Sequence, residues 1–193
     1  MPSSAPRKLR RLADDLLEEH RVEYIDDGVL MITIPTGFTH GEICGRIHES
    51  FHHAHYTGRS SVDWDLSGGN FQFDLVDDPQ KFVIPDLAIA YPGSTSNRDF
   101  RENLAMVVEV TSPGSPKTVK NDHEVKPSQY AKAGIGCYLL VDQAKGEWTL
   151  FALSDAAPAY RVDSSGEYGT PIELPEPFGF TLATDEWPAY HED

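Results

Sequence analysis

Two apolar runs, residues 82–91 and 104–110, each contain a single carboxylate, Asp86 in the first and Glu109 in the second. Near-continuous apolar strands are buried on both faces, as the central strands of a layered sheet are. An isolated carboxylate in such a strand costs several kcal/mol unless it is paired or bound to a cation. The two runs therefore predict a sheet whose middle holds two acids, each in need of a partner. If the strands are neighbours, one divalent cation between them satisfies both. Lys126 follows in the next helical segment; an ammonium has no lone pair and cannot hold a metal, but it can meet the charge that builds up on a phosphate under attack by metal-activated water. On that reading Lys126→Met retains the fold. The residues alone leave a plainer alternative open, with Glu109 paired to Lys126 and Asp86 solvated.

The remaining chain supplies the elements around that sheet. Leu9, Leu12, Leu16 and Leu17 at helical spacing predict an amphipathic helix over 7–20. Strands over 22–25 and 29–34 flank Asp26-Asp27-Gly28, a tight hairpin turn. Ile43, Ile47 and Phe51 recur every four positions and predict a helix over 39–56 laid on the core. Residues 71–75 alternate as a half-buried strand. A helix over 121–133 accommodates Pro127 in its first turn and stops at Gly134. Two strands follow over 137–141 and 148–152, then short edge strands near Tyr160, Ile172 and Phe180. The expected architecture is a mixed sheet with helices, α/β or α+β. A length of 193 residues suits one domain, here an N-terminal helical extension over 1–21 and a single domain over 22–193.

Sixteen Lys and Arg against 31 Asp and Glu leave a formal charge of −15. That balance works against non-specific nucleic-acid binding, which depends on cations displacing counterions from phosphate. A local patch of Lys117, Lys120, Lys126 and Lys132, bound metal ions or a homodimer would have to supply positive surface. Residues 145–193 are the most acidic stretch, with Lys145 and Arg161 as their only Lys or Arg, and offer a non-catalytic protein a surface for a partner. Cys44 and Cys137 form no close pair, which excludes a disulfide scaffold or multi-cysteine metal site and fits a cytoplasmic setting. No run is long and apolar enough for a membrane span, so no membrane partner is expected.

Two further motifs carry chemistry on paper. His48-Glu49-Ser50-Phe51-His52 fits the H-E-x-x-H zinc-peptidase pattern, two imidazoles one helical turn apart with a glutamate to activate water. Phe51 belongs to the core stripe, however, which leaves His48 and His52 at its flank and Glu49 on the far side. The extended pattern also fails, because His55 and Gly58 stand where glycine and the third histidine belong. Asp63, Asp65, Ser67 and Asp74 are spaced almost as a calcium loop, but a strand follows where a helix is required.

Pro85-Asp86, Glu109-Val110-Thr111-Ser112-Pro113, Asp122 four residues before Lys126, Tyr130-Ala131-Lys132-Ala133-Gly134-Ile135 and Tyr138-Leu139-Leu140-Val141-Asp142 together resemble the Uma-two (Uma2) family of restriction endonucleases, within the PD-(D/E)XK nuclease superfamily. The resemblance extends from Tyr24 to Phe180. It implies a restriction-endonuclease-like core, a central mixed β-sheet flanked by helices, with Asp86 and Glu109 holding Mg²⁺ or Mn²⁺ and DNA as the substrate. Thr111 stands where the superfamily lysine usually lies, and Lys126 is the matching lysine moved to the helix. His40 and Asp122 are implied as accessory residues, Asp122 orienting Lys126 or capping its helix, whereas Glu42 faces away. The implied activity is metal-dependent hydrolysis of DNA phosphodiester bonds. Its alternatives are a non-catalytic or regulatory protein on the same fold and, more weakly, a zinc peptidase through His48, Glu49 and His52.

Overall fold

The computed structural model describes residues 10, 12, 21–26, 29–33, 37–69, 71–111 and 121–190. The helix expected over 7–20 and the hairpin turn at 27–28 lie largely outside them; Arg10 and Leu12 are both helical. Arg10 stands 4.6 Å over the Phe82 ring and donates to Asp74 at 3.2 Å.

β1 (Arg21–Asp26) and β2 (Val29–Thr33) form the expected antiparallel hairpin. α1 (Phe38–Tyr56) follows and buries His40, Ile43, Ile47, Phe51 and Ala54. β3 (Asp65–Gly68) starts inside the would-be calcium loop, whose acids separate: Asp65 accepts from the Gly93 and Ser94 amides, while Asp74 meets Arg10 and Arg101. The strand expected over 71–75 shortens to β4 (Phe73–Asp74).

The apolar run at 82–91 is not one strand. It becomes β5 (Phe82–Val83) and β6 (Leu87–Ala90), which lie in different sheets. Pro85 lacks the N–H that a continuous ladder requires, so the chain crosses from one sheet to the other there. α2 (Asn97–Glu102), absent from the sequence reading, is started by Ser96, whose hydroxyl accepts the Asp99 amide at 3.2 Å.

β7 (Leu104–Thr111) is buried throughout. The helix expected over 121–133 begins as a π-helical turn (Asn121–Val125) and becomes α3 (Lys126–Lys132), with Pro127 in its first turn and Gly134 at φ +81° beyond its end. β8 (Cys137–Asp142), β9 (Glu147–Leu153) and β10 (Tyr160–Glu167) form a meander, and β11 (Ile172–Glu173) pairs with β12 (Thr181–Leu182).

The main sheet has the order β10-β9-β8-β7-β6-β3, and a smaller one runs β2-β1-β5-β4. Among the described residues only β7 and β8 pair in parallel within the main sheet, so it is mixed as expected. One core layer lies between α1, one face of that sheet and the 172–187 segment. The other joins Tyr130 of α3, Phe73 and Val83 of the small sheet, and Val107, Tyr138 and Leu140 on the opposite face.

Phe51 anchors α1, its ring 5.8 Å from Phe178 and 5.0 Å from Phe180. Phe51→Ala should destabilise the protein by about 3–5 kcal/mol, the range for emptying a buried aromatic site, measured by urea unfolding.

Candidate active site

β6 and β7 are antiparallel with Leu87 opposite Val108. Continuing that register by one residue sets Asp86 opposite Glu109, so the two carboxylates singled out from the sequence meet where the ladder ends. Alternation along β7 turns Val108 and Val110 toward α1 and Val107 toward α3. Glu109 shares the Val107 side.

Asp86 is not solvated. Its Oδ2 accepts the Val110 amide at 2.7 Å and lies 3.1 Å from His40 Nε2. His40 faces inward from the first turns of α1, with Cys44 Sγ 3.9 Å from its Nδ1. Glu42, by contrast, pairs with Arg46 at 3.0 Å.

Glu109, 1% exposed, uses both oxygens: Oε1 accepts the Tyr130 hydroxyl at 2.8 Å and Oε2 accepts Lys126 Nζ at 3.0 Å. Lys126, 3% exposed, also lies 2.9 Å from Asp122 Oδ1 and 3.0 Å from Glu23 Oε1. Glu23 in turn accepts the Ile84 amide at 3.0 Å. The π-helical turn brings Asp122 and Lys126 together, and its backbone is held by the Tyr138 hydroxyl, which donates to the Asp122 carbonyl at 2.7 Å.

Glu23 is the residue that the sequence reading missed. It carries the same signature as Asp86 and Glu109, one acid inside an apolar strand, between Val22 and Tyr24. A hairpin strand is commonly half-exposed, so an acid inside it does not conflict with the apolar pattern.

Burial drives the Glu109 carboxyl well above its ordinary value, with Lys126 pulling it down and Asp86, Asp122 and Glu23 pushing it up. Burial likewise raises Asp122 against the pull of Lys126. For Lys126 burial works to lower the value, but Glu109, Glu23 and Asp122 outweigh it and the ammonium stays charged well beyond its ordinary range.

Among the described residues no three His, Cys, Asp or Glu side chains converge as a ready metal shell; three of the carboxylates converge on Lys126 instead. The donor set nevertheless fits a hard cation. Four buried carboxylates, Glu23, Asp86, Glu109 and Asp122, face one lysine and His40. Two carboxylates with water completing the shell is the usual way of binding Mg²⁺.

Of the lysine patch, Lys126 is buried and Lys132 pairs with Asp77, whereas Lys117 and Lys120 lie outside the described residues. His48, Glu49 and His52 are all exposed, with the two imidazole centroids 4.7 Å apart. Glu49 instead borders a cleft of about 370 Å³ with Ser50 and His53. No helix among the described residues is long and apolar enough to cross a membrane.

Residues 7–185 match the Uma2 family, described as "Putative restriction endonuclease". Among solved structures, the fold is similar to that of a putative nuclease belonging to DUF820 from Anabaena variabilis ATCC 29413, with a TM-score of 0.55 and 13% identity over 92% of this chain and 93% of that one. No curated protein is detectably similar in sequence.

The burial of Lys126 changes the outcome expected for its removal. Lys126→Met leaves buried carboxylates without their cation and should cost about 3–5 kcal/mol, seen in denaturant unfolding at neutral pH. The orphaned acids then favour protonation in the folded state, so the deficit should shrink as pH falls toward 5; a deficit that grows on acidification would contradict this account.

Proposed function

Because the chain belongs to the Uma2 family, we propose that it is a divalent-cation-dependent nuclease hydrolysing DNA phosphodiester bonds at the Asp86–Glu109 cluster. The observation that carries this reading is the pair of buried carboxylates opposite each other at the end of the β6–β7 ladder, in a cluster where four buried acids share one lysine. Asp86 and Glu109 would hold Mg²⁺ or Mn²⁺, whose chemistry is to lower the pKa of a coordinated water and polarise a phosphoryl oxygen.

The chain's own residues prepare that site. His40 and the Val110 amide fix Asp86 Oδ2. The Tyr130 hydroxyl and Lys126 fix the two oxygens of Glu109, which spares both carboxylates rotamer entropy on binding a cation. Lys126 has three N–H donors, and three carboxylates lie within 3.0 Å of them. It is therefore a positioning residue that orders the acids, and Asp122 and Glu23 hold it in turn. The lysine's engagement also favours a second reading, a non-catalytic protein in which the cluster only joins the two sheets.

Titration calorimetry separates the two. The nuclease reading expects Mn²⁺ binding that Asp86→Asn and Glu109→Gln each weaken at least about tenfold, in line with losing a carboxylate from a site that has few. Affinity should rise with pH, because the Glu109 carboxyl, held well above its ordinary value mainly by burial, must release its proton to bind metal. Mn²⁺-dependent cleavage of a DNA duplex that disappears in both variants completes the case; unchanged Mn²⁺ affinity in both would leave the structural reading.

A further inference from the structure

His48 and His52 stand one helical turn apart on α1, and both are exposed. Their ring centres are 4.7 Å apart and the rings meet at 61°. The other paired imidazoles are already engaged, His40 with Asp86 and His55 with Asp63 at 4.0 Å. Neither His48 nor His52 meets a carboxylate or a hydrogen-bond partner among the described residues. Ile47 and Phe51, both buried, fix the rotation of the helix and so hold the two rings side by side at its surface. Two imidazoles that each bind one ion at about 2.0–2.1 Å have ring centres about 4.5–5.2 Å apart, for ligand angles from square-planar to tetrahedral. The observed separation falls within that range.

We propose that His48 and His52 form a surface chelate for a borderline divalent transition-metal ion of the Cu²⁺ and Zn²⁺ class, separate from the buried carboxylate cluster. Imidazole nitrogen suits such ions, whereas Mg²⁺ and Mn²⁺ favour oxygen, so the two places differ in the metal they select. Among the described residues no third His, Cys, Asp or Glu joins the pair, and water completes the shell. The pair thus lacks the three protein ligands of a catalytic zinc, and the site is one of binding, with no peptidase chemistry attached. Partial burial and the neighbouring His52 lower the pKa of His48, which favours the neutral ring that ligates a metal. The two rings stand together only while α1 is helical, so a bound ion stabilises the folded helix that carries His40.

Cu²⁺ titrated into the untagged chain, in a Cys44→Ser background so that this thiol neither binds nor reduces the ion, should fill one site in the micromolar range. Zn²⁺ should compete for it more weakly. Electron spin echo modulation of the bound Cu²⁺ should report two imidazole rings. His48→Ala and His52→Ala, at exposed positions where the fold tolerates change, should each weaken binding at least about tenfold, since the second ligand of a chelate binds intramolecularly. His53→Ala, on a different side of the helix, should leave the affinity unchanged. So should Asp86→Asn combined with Glu109→Gln, and excess Mn²⁺ should not displace the ion, which keeps the result independent of the nuclease reading. A Cu²⁺ site with a single imidazole, an affinity indifferent to both His48→Ala and His52→Ala, or a site lost in His53→Ala or in the carboxylate double variant would each overturn the proposal.

Discussion

A single ammonium surrounded by acids is the constraint on which the interior depends. Lys126 draws Glu23 from the small sheet, Glu109 from the main sheet and Asp122 from the π-helical turn to within 3.0 Å of Nζ. Each of those carboxylates is buried, and removing the one cation they share leaves a costly set of unpaired acids. The aromatic layer on this side is arranged to serve the same cluster. Tyr130 stacks edge-on against Phe73 at 5.1 Å while its hydroxyl reaches Glu109, and Tyr138 reaches the Asp122 carbonyl from the neighbouring strand.

The helix on the other face contributes through one side chain. Ile43, Ile47 and Phe51 seat α1 on the main sheet, and that seating points His40 at Asp86. Core packing on one side thus sets the geometry of an acid that belongs to the site on the other. This follows from where Asp86 lies, in the two-sheet crossing between β5 and β6.

Much of this was legible because burial writes itself as periodicity. The α1 stripe, the 104–110 strand, the β8–β9 hairpin and the helix stop at Gly134 all follow from side chains spaced for one face or two. Asp86 and Glu109 were legible for the converse reason, being charges where the pattern allowed none. What the pattern could not show is which sheet a strand joins. Residues 82–91 read as one strand because hydropathy does not register the missing N–H of Pro85, and the small sheet, with Glu23 in it, stayed hidden as a result. Of the partners of Lys126, Glu109 and Asp122 were legible from the sequence, and Glu23 was lost for the same reason. The extent of the lysine's burial shows only once the strands that cover it are known.

β7 and β8 are parallel neighbours, and the chain between them must leave the sheet and return before they can pair. The lysine that neutralises Glu109 is carried on that excursion, and Glu23 comes from the far N-terminal side of the chain. No local hairpin can therefore shelter these charges during folding. The acids can be buried together only where crossover, small sheet and main sheet meet, so the cluster is built from contacts distant in sequence, the kind whose loop-closure entropy slows folding. Burying any of these acids without its partner costs several kcal/mol, so the cluster also disfavours compact arrangements in which the strands meet in the wrong order.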